Sequence, residues 1–92
     1  MYRIFLTKPY ERSRKKLERS GKFDSEFLDN VIRILASGKI LEARYRDHQL
    51  KGEWAKYREC HIKGDLLLVY RIEKELLVLI LSEIGTHSYL DF

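Results

Sequence analysis

Three histidines, His48, His61 and His87, stand in the second half of the chain, each beside a strand or turn signal. Imidazole is the one side chain whose ordinary pKa lets it both give and take a proton near neutrality. Lys51, Lys56, Arg58 and Lys63 are interleaved with the first two. Acid–base groups among cations are what metal-free cutting of RNA needs. A base takes the 2′-OH proton as that oxygen attacks the adjacent phosphorus in line. An acid protonates the departing 5′-oxygen, and cations offset the charge on the phosphorane. Asp65, four residues after His61, can fix a tautomer in such a set or accept a proton itself. The lysines and Arg58 can contact phosphates, and Tyr57 and Phe92 can stack on a splayed base.

Blander readings stand beside these. His61 in a mixed strand can be a hydrogen-bonded surface histidine, Asp47-His48 and Gly64-Asp65 can be turn chemistry, and His87 a solvated tail residue. Trp54 and Tyr70 read as core anchors. Three histidines and an aspartate also suggest a metal site, but their spacing fits no compact ligand motif, so neither metal nor cofactor is expected. Cys60 is the single cysteine, which rules out an internal disulfide and CxxC sites. Strand alternation turns it away from His61, so it reads as a passive buried thiol. The same alternation groups Tyr57, Glu59 and His61 on one face and Arg58, Cys60 and Ile62 on the other, so Arg58 should contact RNA less directly than His61.

The elements that must position these groups follow from local patterns. Tyr2 to Leu6 reads as a short strand. Pro9 suits the first turn of a helix running to about Ser20, with Tyr10, Ser13 and Leu17 inward and Gly21 as its stop. Asp24 can cap a second helix with Phe23 and Leu28 at staple positions, and Gly38 ends it. Phe27, Leu28, Val31, Ile32, Ile34 and Leu35 form its core-facing stripe. Trp54 to Ile62, Leu66 to Ile72 and Leu76 to Leu81 then read as strands of a meander. The expected class is α+β, one domain over residues 1–92, with two N-terminal helices packed on a twisted antiparallel sheet of about four strands.

At 92 residues with 45% hydrophobic side chains, the chain can build one core but no deep cofactor cavity besides. No apolar run approaches the roughly 18 residues of a membrane span. The opening Met1 to Thr7 has no secretory pattern, so a cytoplasmic location is expected. A net charge of +4, concentrated between Lys8 and Lys22 and between Arg44 and Lys63, suggests a polyanionic or acidic partner.

The run Asp47-His48-Gln49-Leu50-Lys51-Gly52, with Trp54, Tyr57-Arg58-Glu59-Cys60-His61 and Asp65, then Leu68, Tyr70 and Gly85-Thr86-His87, resembles the YafQ-type toxins of the RelE/ParE superfamily. The similarity extends over nearly the whole chain. It implies a RelE-like fold and a ribosome-dependent endoribonuclease that cuts mRNA and halts translation. It also implies catalytic roles for His48, His61, Asp65 and His87, and an acidic position at Glu59. The implied partner is a small antitoxin of the ribbon-helix-helix type, with DNA bound only through the toxin–antitoxin complex. The alternative within the superfamily is a ParE-like toxin that inhibits DNA gyrase without cutting RNA. Two positions depart from the pattern. Glu83 replaces an arginine that relatives often carry two residues before the Gly-[Ser/Thr]-His element, and the ending Leu90-Asp91-Phe92 spaces the last aromatic differently.

Overall fold

Thr7 closes one element and opens the next. Its backbone N–H donates to the Leu81 carbonyl (3.2 Å), its hydroxyl donates to the Ser82 carbonyl (2.8 Å), and its Oγ1 accepts from Tyr10 N–H (3.2 Å). That cap, with Pro9 in the first turn, starts helix α1 (Lys8–Arg19) directly after strand β1 (Arg3–Leu6). Asp24 caps α2 (Ser25–Ala36) by accepting from Phe27 N–H at 3.0 Å. Both helices stop where their glycines allow a left-handed turn, Gly21 at φ 74° and Gly38 at φ 84°. The computed structural model describes residues 1–21, 23–86 and 90.

Strands β2 (His48–Gln49), β3 (Arg58–His61), β4 (Leu66–Glu73) and β5 (Val78–Thr86) follow, with single 3-10 turns at Ala43–Tyr45 and Gly52–Trp54. The sheet order is β1-β5-β4-β3-β2. The expected α+β layering holds, with a correction to the sheet: among the described residues it has five strands and is mixed. Strand β1 runs parallel to β5, while the other pairs are antiparallel. A parallel neighbour needs a crossover, and the two helices supply it. A second correction concerns the strand bounds. Trp54 closes a 3-10 turn and the strand begins only at Arg58, and Trp54 is 40% exposed instead of anchoring the core. Leu76 and Leu77 belong to the β4–β5 turn, with Leu77 at φ 54°.

The core lies between α2 and one face of the sheet. Leu28, Val31, Ile32 and Leu35 meet Cys60, Leu68, Tyr70, Leu79, Leu81 and Ile84, all buried. Helix α1 is joined to α2 by Arg14, whose Nη1 lies 2.8 Å from Asp29 Oδ1 and donates to Tyr10 Oη at 3.2 Å. One irregularity changes which side chains reach the other face. Val69 pairs with Glu83 but Tyr70 pairs with Leu81, so Ser82 is an extra residue in β5. Leu79 and Leu81 point into the core, and plain alternation would send residue 83 there too. The bulge moves Glu83 to the opposite face and gives Ile84 the core position.

Tyr70 combines core packing with a polar role. Its buried hydroxyl donates to Asp47 Oδ1 at 2.6 Å, and Arg58 Nε donates to the same oxygen at 3.3 Å. This anchors the segment entering β2. Burial, then the Asp47 carboxylate, hold the Tyr70 hydroxyl above its usual 10.0, and burial raises the Cys60 thiol above its usual 9.0. Above those values the native chain keeps protons that the unfolded chain has lost. The stability these two groups contribute is therefore fully present below pH 9 and falls as pH rises beyond it. Tyr70→Phe should cost about 1–3 kcal/mol at neutral pH, because Asp47 loses a donor, and should make the alkaline fall shallower. Denaturant unfolding at neutral pH and above pH 10 checks both; wild-type stability in the variant would refute the anchoring role.

Candidate active site

Strand pairing builds the site on the sheet face turned away from the helices. His48 stands opposite Glu59, Glu59 opposite Val69, and Val69 opposite Glu83, so these four form one row across β2, β3, β4 and β5. His61 lies two residues further along β3, in the adjacent row with Leu67 and Gly85. Paired residues project to the same face, so both described imidazoles share it with the Glu59 carboxylate. The parity expected for Glu59 and His61 is therefore present; Tyr57 precedes the strand.

His48 is fixed by its backbone surroundings. Its Nδ1 lies 2.7 Å from the Arg46 carbonyl oxygen, which can only accept, so Nδ1 carries the proton. Arg46 presents that carbonyl from a left-handed conformation, φ 49°. Nε2 is then the free basic nitrogen of the neutral ring, and it lies 3.5 Å from Glu59 Oε1. Glu59 is only 4% exposed. A proton arriving on Nε2 makes an imidazolium beside a buried carboxylate, an ion pair held by the sheet register.

Around His61 the surface is cationic. A hollow of about 330 Å³ is lined by Arg44, Arg46, His61, Ile62, Lys63 and Gly64. Arg44 is braced against the Tyr45 ring, with its guanidinium 4.8 Å from the centroid and Nη2 donating to the hydroxyl at 2.9 Å. Lys63 Nζ stands 3.6 Å from Asp24 Oδ2 and is mostly exposed. Three cations beside one imidazole suit a phosphate.

The other candidates distribute unevenly. Asp65 is exposed in the β3–β4 turn and lines a shallow hollow with Leu17, Phe23 and Asp24; it makes no hydrogen bond or ion pair with either described imidazole. Arg58 points to the core side and is bound to Asp47, away from the imidazole face. Lys56 is exposed and lines a separate hollow with Asp47, Arg58 and Tyr70, near the end of α2. Lys51 is exposed at the start of the second 3-10 turn. His87 and Phe92 lie outside the described residues. Among the described residues, no three His, Cys, Asp or Glu side chains converge to hold a metal ion. Cys60 is fully buried, as alternation required.

Sequence reasoning missed Arg44 and Arg46, which it saw only as part of a basic run. It offered turn chemistry as one reading of Asp47 and placed Trp54 in the core. Arg71 was also missed: its guanidinium lies over the Tyr57 ring at 5.6 Å, and its Nε is buried with no hydrogen-bond partner among the described residues. Its even spacing from Leu67 and Val69 on β4 was the available signal.

Comparison with known proteins gives this geometry a family. A relative from Haemophilus influenzae carrying the YafQ name is 48% identical over 60 residues, 63% of this chain and 59% of that relative's length. The mRNA interferase toxin YafQ of Escherichia coli K12 is 33% identical over 82% of this chain and 80% of its own. Among solved structures, a metal-bound toxin from Helicobacter pylori superposes with a TM-score of 0.90 at 41% identity, over 98% of this chain and 99% of that one. The toxin in the E. coli DinJ–YafQ toxin–antitoxin complex gives 0.85 at 29% identity, over 97% and 96%. Residues 2–91 match the family described as the bacterial toxin of type II toxin–antitoxin systems, YafQ, and the chain belongs to that family.

Proposed function

We infer that this chain is the toxin of a type II toxin–antitoxin pair and an endoribonuclease that cuts mRNA, in keeping with its YafQ relatives named mRNA interferases. The observation that carries the reading is the setting of His48. Its tautomer is set by the Arg46 carbonyl, and it sits beside buried Glu59 on the same face as His61.

In the mechanism we propose, message lies across this face with a phosphate in the Arg44, Arg46 and Lys63 hollow. His48 Nε2 takes the 2′-OH proton while O2′ bonds to phosphorus, and Glu59 stabilises the resulting imidazolium. The P–O5′ bond breaks, and a second imidazole, His61 or His87, protonates the departing oxygen. The products are a 2′,3′-cyclic phosphate and a free 5′-hydroxyl, with no metal required. Asp65, at the turn following His61, serves by orienting the site when RNA is bound. Lys51, Lys63 and Phe92 contact the RNA, while Lys56 and Arg58 lie on the far side and contribute less directly.

The ribosome presents the message in this reading, and the basic outer surface of α1 is available to ribosomal RNA. The partner that restrains the toxin is a small antitoxin, as DinJ accompanies the E. coli YafQ of the solved complex. We propose a ribbon-helix-helix antitoxin, DNA contact only through the complex, and a cytoplasmic setting. No helix of the described residues is long and apolar enough to cross a membrane.

Mapping RNA ends in cells after induction tests the reading. Wild type should produce new 5′-hydroxyl ends inside coding regions, and His48→Ala and His61→Ala should each lower cutting by roughly 10²–10⁴-fold while still folding and binding antitoxin. Intact message together with blocked gyrase would instead identify a binding-only toxin. Because the H. pylori relative was crystallised with metal, cutting should also be measured in chelator. Undiminished activity is expected; loss restored by a divalent ion would replace the metal-free mechanism.

A further inference from the structure

Beside the row of catalytic candidates lies a second hollow of different chemistry, about 640 Å³, lined by Pro9, Trp54, Tyr57, Val69, Glu83 and Leu90 among others. Trp54 and Tyr57 form its aromatic wall, ring centroids 5.4 Å apart and inclined by 63°. Arg71 steadies Tyr57 through its guanidinium over the ring. No Lys, Arg or His is among the described residues lining this hollow. The Arg44, Arg46 and Lys63 hollow thus suits a phosphate, and this one suits a base. Aromatic faces stack on any base at little cost in specificity.

Glu83 gives the hollow a selective edge. The Ser82 bulge brings this side chain onto the open face, and Thr7 secures the bulge by donating to the Ser82 carbonyl. Oε1 of Glu83 accepts from Ile84 N–H at 3.0 Å, which orients the carboxylate and leaves Oε2 without a donor among the described residues. Two strand spacings separate Glu83 from Glu59 in the same row, roughly 10 Å, so the pocket takes a nucleotide near the scissile one and not the scissile phosphate. A carboxylate is acceptor-only. Guanine alone among the four RNA bases offers two adjacent donors, N1–H and the N2 amino group, on its Watson–Crick edge. Adenine and cytosine set a ring acceptor beside their amino group, and uracil flanks N3–H with two carbonyls; each turns a lone pair toward the carboxylate.

We propose that Trp54, Tyr57 and Glu83 form a guanine-reading pocket, so that Glu83 acts in choosing where the message is cut. The proposal rests on the RNA-cutting reading above. Trp54 is the chain's single tryptophan, which makes its fluorescence a local reporter. Titrating the full chain with GMP, IMP and AMP should show quenching with GMP at about tenfold lower concentration than with IMP or AMP, the size expected for a paired contact to one base. IMP lacks only the 2-amino group, so this comparison needs no variant. In Glu83→Gln the GMP advantage should collapse. In mapped RNA ends, the wild type should show guanosine enriched at one fixed offset from the cut, and Glu83→Gln should flatten that preference whatever its overall rate. Equal quenching by GMP and IMP, or an unchanged guanosine preference in the variant, would overturn the pocket. The two failures separate: RNA left uncut by the wild type would sink the nuclease reading, whereas cutting without a Glu83-dependent guanosine preference would sink this inference alone.

Discussion

One oxygen of Asp47 joins the β2 edge of the sheet to its core. Tyr70 and Arg58 both donate to it, and Tyr70 is packed among the leucines beneath α2. Strand β2 is only two residues long, too short to hold itself against β3 through backbone bonds alone. The side-chain brace supplies what the ladder lacks. His48 is the next residue, so the placement of its ring depends on a hydroxyl buried in the core. The left-handed turn at Arg46 is part of the same arrangement, because it brings a carbonyl against Nδ1. A position where an L side chain is strained is held by its surroundings, and here it orients the His48 ring.

The opposite face of β3 and β4 shows how one sheet divides two tasks. Residues of one parity, Cys60, Leu68 and Tyr70, make the core; those of the other parity, Glu59, His61 and Arg71, make the site. Buried Glu59 stands 3.5 Å from His48 Nε2 there. A carboxylate so enclosed is costly unless paired or hydrogen-bonded, so it gains a partner whenever that nitrogen takes a proton.

Much of this was legible in the chain. Asp24, Gly38 and the apolar stripe between them specify α2 almost residue by residue, and the alternation around Cys60 assigns both faces of β3. The fifth strand position was less accessible, since nothing in Tyr2 to Leu6 says whether it lies beside β5 in parallel or at another edge. The bulge was hidden for a related reason. Ser82 is an ordinary strand residue, and only the pairing of Val69 with Glu83 reveals the change of parity. Trp54 misled because its size suggests burial, whereas Gly52 at φ 65° and the 3-10 turn leave it at the surface. Arg44 and Arg46 read as anonymous charge because their closeness to His61 arises from distant parts of the chain.

Cys60 carries a consequence of its own. A lone sulfur with no exposed surface, whose proton is held by burial and by nearby carboxylates, is a poor target for electrophiles while the central strands stay paired. Alkylating reagents will reach it only at moments when β3 leaves its neighbours. The rate of labelling under native conditions is therefore a clock for opening of the molecule's centre, read at a single atom and without any introduced probe.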